Sequence, residues 1–139
     1  MNNMGEPRIK IVAMPKDTNP SGNIFGGWIM AQIDIAGAIA TRDLPVHRVV
    51  TVAINSMSFR EPIFVGDVVS FYAKVTKVGR TSITTEVEVI AERSGDDGFR
   101  RCIHVTSATV TYVSVDDSGK KQQINCSNNY LNALEIEKI

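Results

Sequence analysis

The sequence is poor in most features that would announce a function by themselves. It has only two cysteines, Cys102 and Cys126, far apart and outside any CxxC pair. That spacing offers no zinc site and fits two free thiols in a reducing cytoplasm. Neither sign of charge is in excess, with 15 Lys and Arg against 15 Asp and Glu. Without a basic surface, the chain is not expected to bind DNA or RNA as a polymer. A small anionic ligand needs only a few local cations and stays open. No apolar run approaches the ~20 residues of a membrane helix, and residues 1–10 lack the apolar core of a signal peptide. There is no Gly-x-Ser-x-Gly elbow, no P-loop and no dinucleotide glycine fingerprint. Of the two histidines, His47 falls in a loop and His104 inside a strand pattern, so no Ser-His-Asp set is suggested.

What is present fits one domain. A chain of 139 residues buries roughly two-thirds of its unfolded surface and can hold a core without staples. Residues 1–7 read as a loose terminus, 8–119 as the folded domain, and 120–139 as an extension with a short helix that Ser127 can cap. Residues 8–14, RIKIVAM, begin with strand alternation, and PKDTNPSG that follows is dense in turn formers. Residues 25–41, FGGWIMAQIDIAGAIAT, are apolar on nearly every side, the pattern of a buried helix, and Leu44-Pro45 stops it. Strand patterns follow at 48–59, 68–78, 81–92 and 99–115, with Gly79-Arg80 as a tight turn. Short turns imply antiparallel neighbours. The expected fold class is α+β, with an antiparallel sheet wrapped around one long central helix.

Asp34 is the anomaly of that helix. Met30, Ile33, Ile35, Gly37 and Ala38 surround it, and no Lys or Arg lies one turn away. A carboxylate so placed costs several kcal/mol unless it is paired or reaches water. A bond to backbone or to a distant side chain would explain it; so would catalysis. Gly26 and Gly27 open the helix. The first amides of a helix lack partners and can hold a carbonyl oxygen that becomes an oxyanion, although two glycines also suit tight packing. Asp34 lies eight residues beyond Gly26, about 12 Å along a helix. A reacting carbonyl should lie ~3 Å from both its donors and the attacking group. The two parts therefore fit better when two copies of the chain contribute them across a dimer interface. Asn19 and Asp17 precede the helix in a loop whose composition is equally that of a plain turn.

The runs AMPKDTNPSGNIFGGWIMAQIDIAGAIA, VVTVAINSMSFREPIFVGD and KVGRTSITTEVEV strongly resemble the hotdog-fold bacterial acyl-CoA thioester hydrolases of the YciA type, over residues 11–115. The resemblance implies a hotdog domain whose pair shares a continuous sheet, with such dimers assembling as a trimer of dimers. It makes Asp34 the reacting carboxylate and Asn19 a loop partner to the Asp of the opposite subunit. Phe25, Gly26 and Gly27 become the segment that polarises the thioester carbonyl. Gly79, Arg80, Thr81 and Ser82 become a stretch that contacts CoA. Val52, Ile54, Met57, Ser58 and Phe59 are then candidates for the acyl and CoA path. No metal or separate cofactor is implied, because CoA is part of substrate and product.

The resulting expectation is a cytoplasmic hydrolase of short- to medium-chain acyl-CoA, with no nucleic-acid or membrane partner. Asp34 would act on water as a general base or attack the carbonyl itself. The main rival is a non-catalytic acyl-CoA-binding or sensing module, which has no use for an uncompensated Asp there. A dehydratase needs a His beside the helix, and none lies in residues 24–41. A scaffolding domain leaves Asp34 unexplained.

Overall fold

The computed structural model describes residues 4–139. Met1, Asn2 and Asn3 of the expected loose terminus lie outside the described residues. The elements are β1 (Ile9–Val12), α1 (Gly26–Ala40), β2 (Arg48–Asn55), β3 (Val68–Val78), β4 (Ser82–Ser94), β5 (Arg100–Val115), α2 (Asn128–Ala133) and β6 (Glu137–Lys138). The strand order is β1-β3-β4-β5-β2, antiparallel throughout, and β6 adds two parallel pairs to β3.

One face of the sheet is apolar by simple alternation. Phe71, Ala73 and Val75 of β3, Ile83, Val87 and Val89 of β4, and Val110 and Tyr112 of β5 are all buried. Against them α1 sets Ile29, Ile33, Ala36, Gly37 and Ala40, a single stripe at helical spacing. Gly37 is where the helix comes closest to the sheet. A Cβ there would run into the Tyr112 hydroxyl and sit 3.0 Å from Thr85 Oγ1. Trp28 meets Phe71 edge to face, 6.1 Å between ring centres. Register shifts at Val75/Lys77, Val89/Ile90 and Thr51/Ala53 bend the strands, and bending lets the sheet curl around the helix. The helix gives way to a tight turn at Thr41–Asp43, and Leu44 is extended as the residue before a proline must be.

Two expectations need correction. The strand expected over 48–59 stops at Asn55, because Ser56 takes a left-handed φ of +57° and leaves the sheet. Residues 56–67 instead form a strap. A connection of that length lets the chain skip neighbours, so β2 pairs with β5 at the far edge rather than with β3. The helix is also not buried all round. Met30 and Ile35 are exposed on the face away from the sheet.

An ion pair anchors the strap to the sheet. Arg93 grips Asp67 with Nε at 3.0 Å and Nη2 at 2.7 Å, donates to the Pro62 carbonyl at 3.1 Å, and lies 4.3 Å from the centre of the Phe64 ring. The bond to Asp67 raises the Arg93 pKa further above its usual value. After β5 the chain packs Ile124, Leu131 and Ile136 into the same core. Ser127 Oγ caps α2 by accepting from the Tyr130 amide at 3.1 Å.

Candidate active site

The start of α1 has open donors. Its first helical bonds run from Trp28 N and Ile29 N to the Phe25 carbonyl. Phe25 caps the helix without a side-chain bond, so the Gly26 and Gly27 amides have no acceptor among the described residues. An open cleft of about 290 Å³ lies beside them, and Asn19, Gly26, Ile29, Phe59 and Arg60 line it. The Phe59 ring is the nearest group to Gly26, 3.8 Å from where a Cβ would stand. Asn19 has its side-chain oxygen engaged by the amides of Ser21 and Asn23, at 2.9 and 3.1 Å. Its side-chain nitrogen makes no hydrogen bond among the described residues. Phe25, half exposed, borders the same helix start.

Asp34 stands two turns further along α1 and does not line that cleft. It is half-buried rather than deep in the core. Thr51 Oγ1, on β2, donates to its Oδ1 at 2.7 Å, and no ion pair involves it among the described residues. Oδ2 is left free. From below, Tyr112 OH donates to the Asp34 carbonyl at 2.5 Å. Burial first, and then the nearby Asp34, push the Tyr112 phenol above the ordinary tyrosine range. That phenol stays a donor, pinning the turn that carries Asp34.

The remaining candidates scatter. Val52 occupies the bulge of β2, is 59% exposed and does not line the cleft. Ile54 and Met57 pack on the edge of the core. Ser58 is held by its carbonyl, which accepts from Thr106 Oγ1 at 2.8 Å. Gly79, Arg80, Thr81 and Ser82 form the β3–β4 turn, closed by Gly79 N to Ser82 O at 2.8 Å. A Cβ on Gly79 would stand 2.5 Å from Ser82 Oγ, so that hydroxyl would have to turn aside. The turn lies at the opposite end of β3 from the strap, about 30 Å along the strand. One chain therefore does not bring the turn to its own cleft. Arg80 makes no ion pair among the described residues.

A family model, the thioesterase superfamily, matches residues 21–96, which hold both the helix start and Asp34. The chain belongs to the thioesterase superfamily. Within it, an uncharacterized acyl-CoA thioester hydrolase of Haemophilus influenzae is 47% identical over 94% of this chain and 82% of its own. The acyl-CoA thioester hydrolase YciA of Escherichia coli is 40% identical over 86% and 91%. A hexameric hotdog-fold thioesterase of Campylobacter jejuni has a crystal structure that superposes with a TM-score of 0.88 at 56% identity, covering 96% of this chain and 98% of that one. A hexameric broad-specificity acyl-coenzyme A thioesterase superposes at 0.82 with 44% identity, covering 96% and 91%. The curled sheet around α1 is thus the hotdog fold.

This thioesterase-superfamily chain has two site-shaping residues that its sequence did not single out. Thr51 and Tyr112 fix the carboxylate and the backbone of Asp34 from elements 17 and 78 residues away. No local pattern marks them. Among the described residues there is no group of three metal-ligating side chains and no helix long and apolar enough to cross a membrane. Both cysteines are free thiols.

Proposed function

We propose that the protein hydrolyses acyl-CoA thioesters of short and medium chain at a site built by two copies of the chain. The observation that carries this is the uncapped pair of amides at Gly26 and Gly27 beside the cleft, on the same helix as a carboxylate with a free oxygen. About 12 Å of helix separates the two, too far for one carbonyl to meet both, which favours donors from one protomer and Asp34 from its partner.

In this reading the thioester carbonyl points at the Gly26 and Gly27 amides, which gain strength as the oxygen becomes an oxyanion. Asp34 Oδ2 accepts a proton from water while Thr51 holds Oδ1, and the water oxygen bonds to the carbonyl carbon. The tetrahedral intermediate expels CoA as a thiolate, and the acid leaves with its new oxygen. Asn19 assists from the loop, Phe25 and Phe59 wall the acyl group, and the turn at Gly79–Ser82 receives CoA. Since that turn is remote from its own cleft, it serves the partner's. No separate cofactor is needed. The free thiols suit a reducing compartment, and we place the reaction in the cytoplasm. Relatives that are hexamers favour three such dimers together.

Subunit mixing tests the reading. Asp34→Ala removes the carboxylate. Gly26→Pro removes one donor at a helix position that tolerates proline, after a residue already extended at ψ 134°. Each alone should lose turnover by orders of magnitude on acetyl- and hexanoyl-CoA. Unfolded and remixed, they should recover about one quarter of the wild-type sites, because half the dimers are mixed and each restores one site of two. No recovery from folded mixtures, or full activity in Asp34→Ala, rejects the composite site.

A further inference from the structure

Four side chains, of which only Arg60 also lines the cleft, form a continuous hydrogen-bonded row on the outer face of the sheet. Arg60 Nη1 lies 2.6 Å from His104 Nδ1. His104 Nε2 lies 2.5 Å from Glu88 Oε2, and Ser107 Oγ donates to that same oxygen at 2.8 Å. The row has the composition of a hydrolytic triad without its wiring. A guanidinium can only donate, so Nδ1 accepts and the ring proton sits on Nε2, where Glu88 takes it. Although Ser107 Oγ is 3.2 Å from Nε2, neither ring nitrogen is left to draw a proton from it.

The row is a tether, and its load is the strap. Beyond the last β2 pair, the first part of the strap, residues 56–60, runs along β5 on two clips to its backbone. Thr106 Oγ1, fully buried, donates to the Ser58 carbonyl at 2.8 Å, and the Arg60 amide donates to the Val105 carbonyl at 2.9 Å. Phe59 sits between those clips with its ring beside Gly26. The Arg60 side chain is the third clip, and it ends on His104.

We propose that His104, acting through Arg60, is a positioning residue that sets the Phe59 wall of the cleft and releases it when the ring gains a second proton. That proton can enter only at Nδ1. It removes the acceptor Arg60 uses and puts one cation against another. Glu88 keeps hold of Nε2, so the strap lets go rather than the ring. The groups facing the ring are Arg60 from the strap, Glu88 from β4 and Ser107 on β5. Further along the same face, Tyr72 of β3 lies across from Glu88, and Cys102 across from Glu92. The proposal rests on the cleft being the acyl-CoA site.

Two variants separate positioning from mere stability. His104→Leu removes the acceptor. His104→Asn keeps an acceptor oxygen near the Nδ1 position but does not titrate. The Leu variant should raise KM for a short acyl-CoA about fivefold with kcat near wild type, and the Asn variant should restore KM. A variant that is only less stable would lose active fraction and keep its KM. Hydrogen exchange gives a readout independent of turnover. When ring nitrogen shifts show His104 protonated, wild-type strap amides at and around Arg60 should lose protection, while those of the Asn variant should not. Unchanged KM together with unchanged strap protection in the Leu variant overturns the proposal. If the wild type cleaves no acyl-CoA, the proposed function falls, and strap exchange still decides the tether.

Discussion

Asp34 owes its geometry to groups that come from other strands. Thr51 fixes one carboxylate oxygen and, in the proposed mechanism, leaves the other to meet water. A hydrogen bond to a charged group is worth roughly 1.5–3 kcal/mol, and this one is partly open to solvent. Thr51→Val should therefore lower kcat about tenfold and leave KM nearly unchanged, as expected for loss of an interaction that matters most in the transition state. Steady-state kinetics beside an unchanged melting temperature would check this. Equal kcat in the variant would mean that Asp34 orients itself. Single turnover in oxygen-labelled water adds a finer check. Label found only in the released acid supports attack by water, whereas label in the Asp34 carboxylate requires a mixed anhydride.

At the scale of elements, α1 is held against the sheet at one tight crossing, where Gly37 rides over Tyr112 and Thr85. The Tyr112 phenol is buried, and its proton is bound more tightly in the folded chain than in the unfolded one. The stability this provides is fully present below the unfolded tyrosine pKa of about 10 and is lost as pH rises from there toward the higher folded value. Tyr112→Phe should cost about 1 kcal/mol at neutral pH for the lost bond to the Asp34 carbonyl. It should also flatten the fall of melting temperature between about pH 9 and 11. Parallel alkaline slopes for the two proteins would contradict this account. The strap is the other element with a task. Its ends are fixed by Arg93 on Asp67 and by the clips to β5, so Phe59 belongs to a braced segment.

At the scale of the molecule, a single chain leaves an apolar face open. β2 is an edge strand of eight residues, with Val50 40% and Val52 59% exposed, and Met30 and Ile35 stand exposed on α1. A long apolar edge invites pairing and needs cover. In the proposed dimer a second copy, edge to edge along β2, covers it. Val50→Lys places a charge on that edge without touching the proposed machinery. It should shift the protein to monomers in light scattering, and activity should fall with the dimer fraction. Monomers with full turnover would refute a shared site.

The amino-acid sequence by itself determined the central helix, the long strands after it and the family. Alternation along 68–78 and 81–92, the apolar run after Gly26-Gly27, and the motif around Asp34 are local patterns, and local patterns follow from chain geometry alone. What only tertiary structure decided was proximity. The crossing of β2 to β5, the half exposure of Asp34, its grip by Thr51 and Tyr112, and the tie of Arg60 to His104 join residues 17 to 78 positions apart. Such pairs form only when strand bulges and a strap of particular length bring separate segments to the same place, and nothing in either segment's own spacing encodes the other's position.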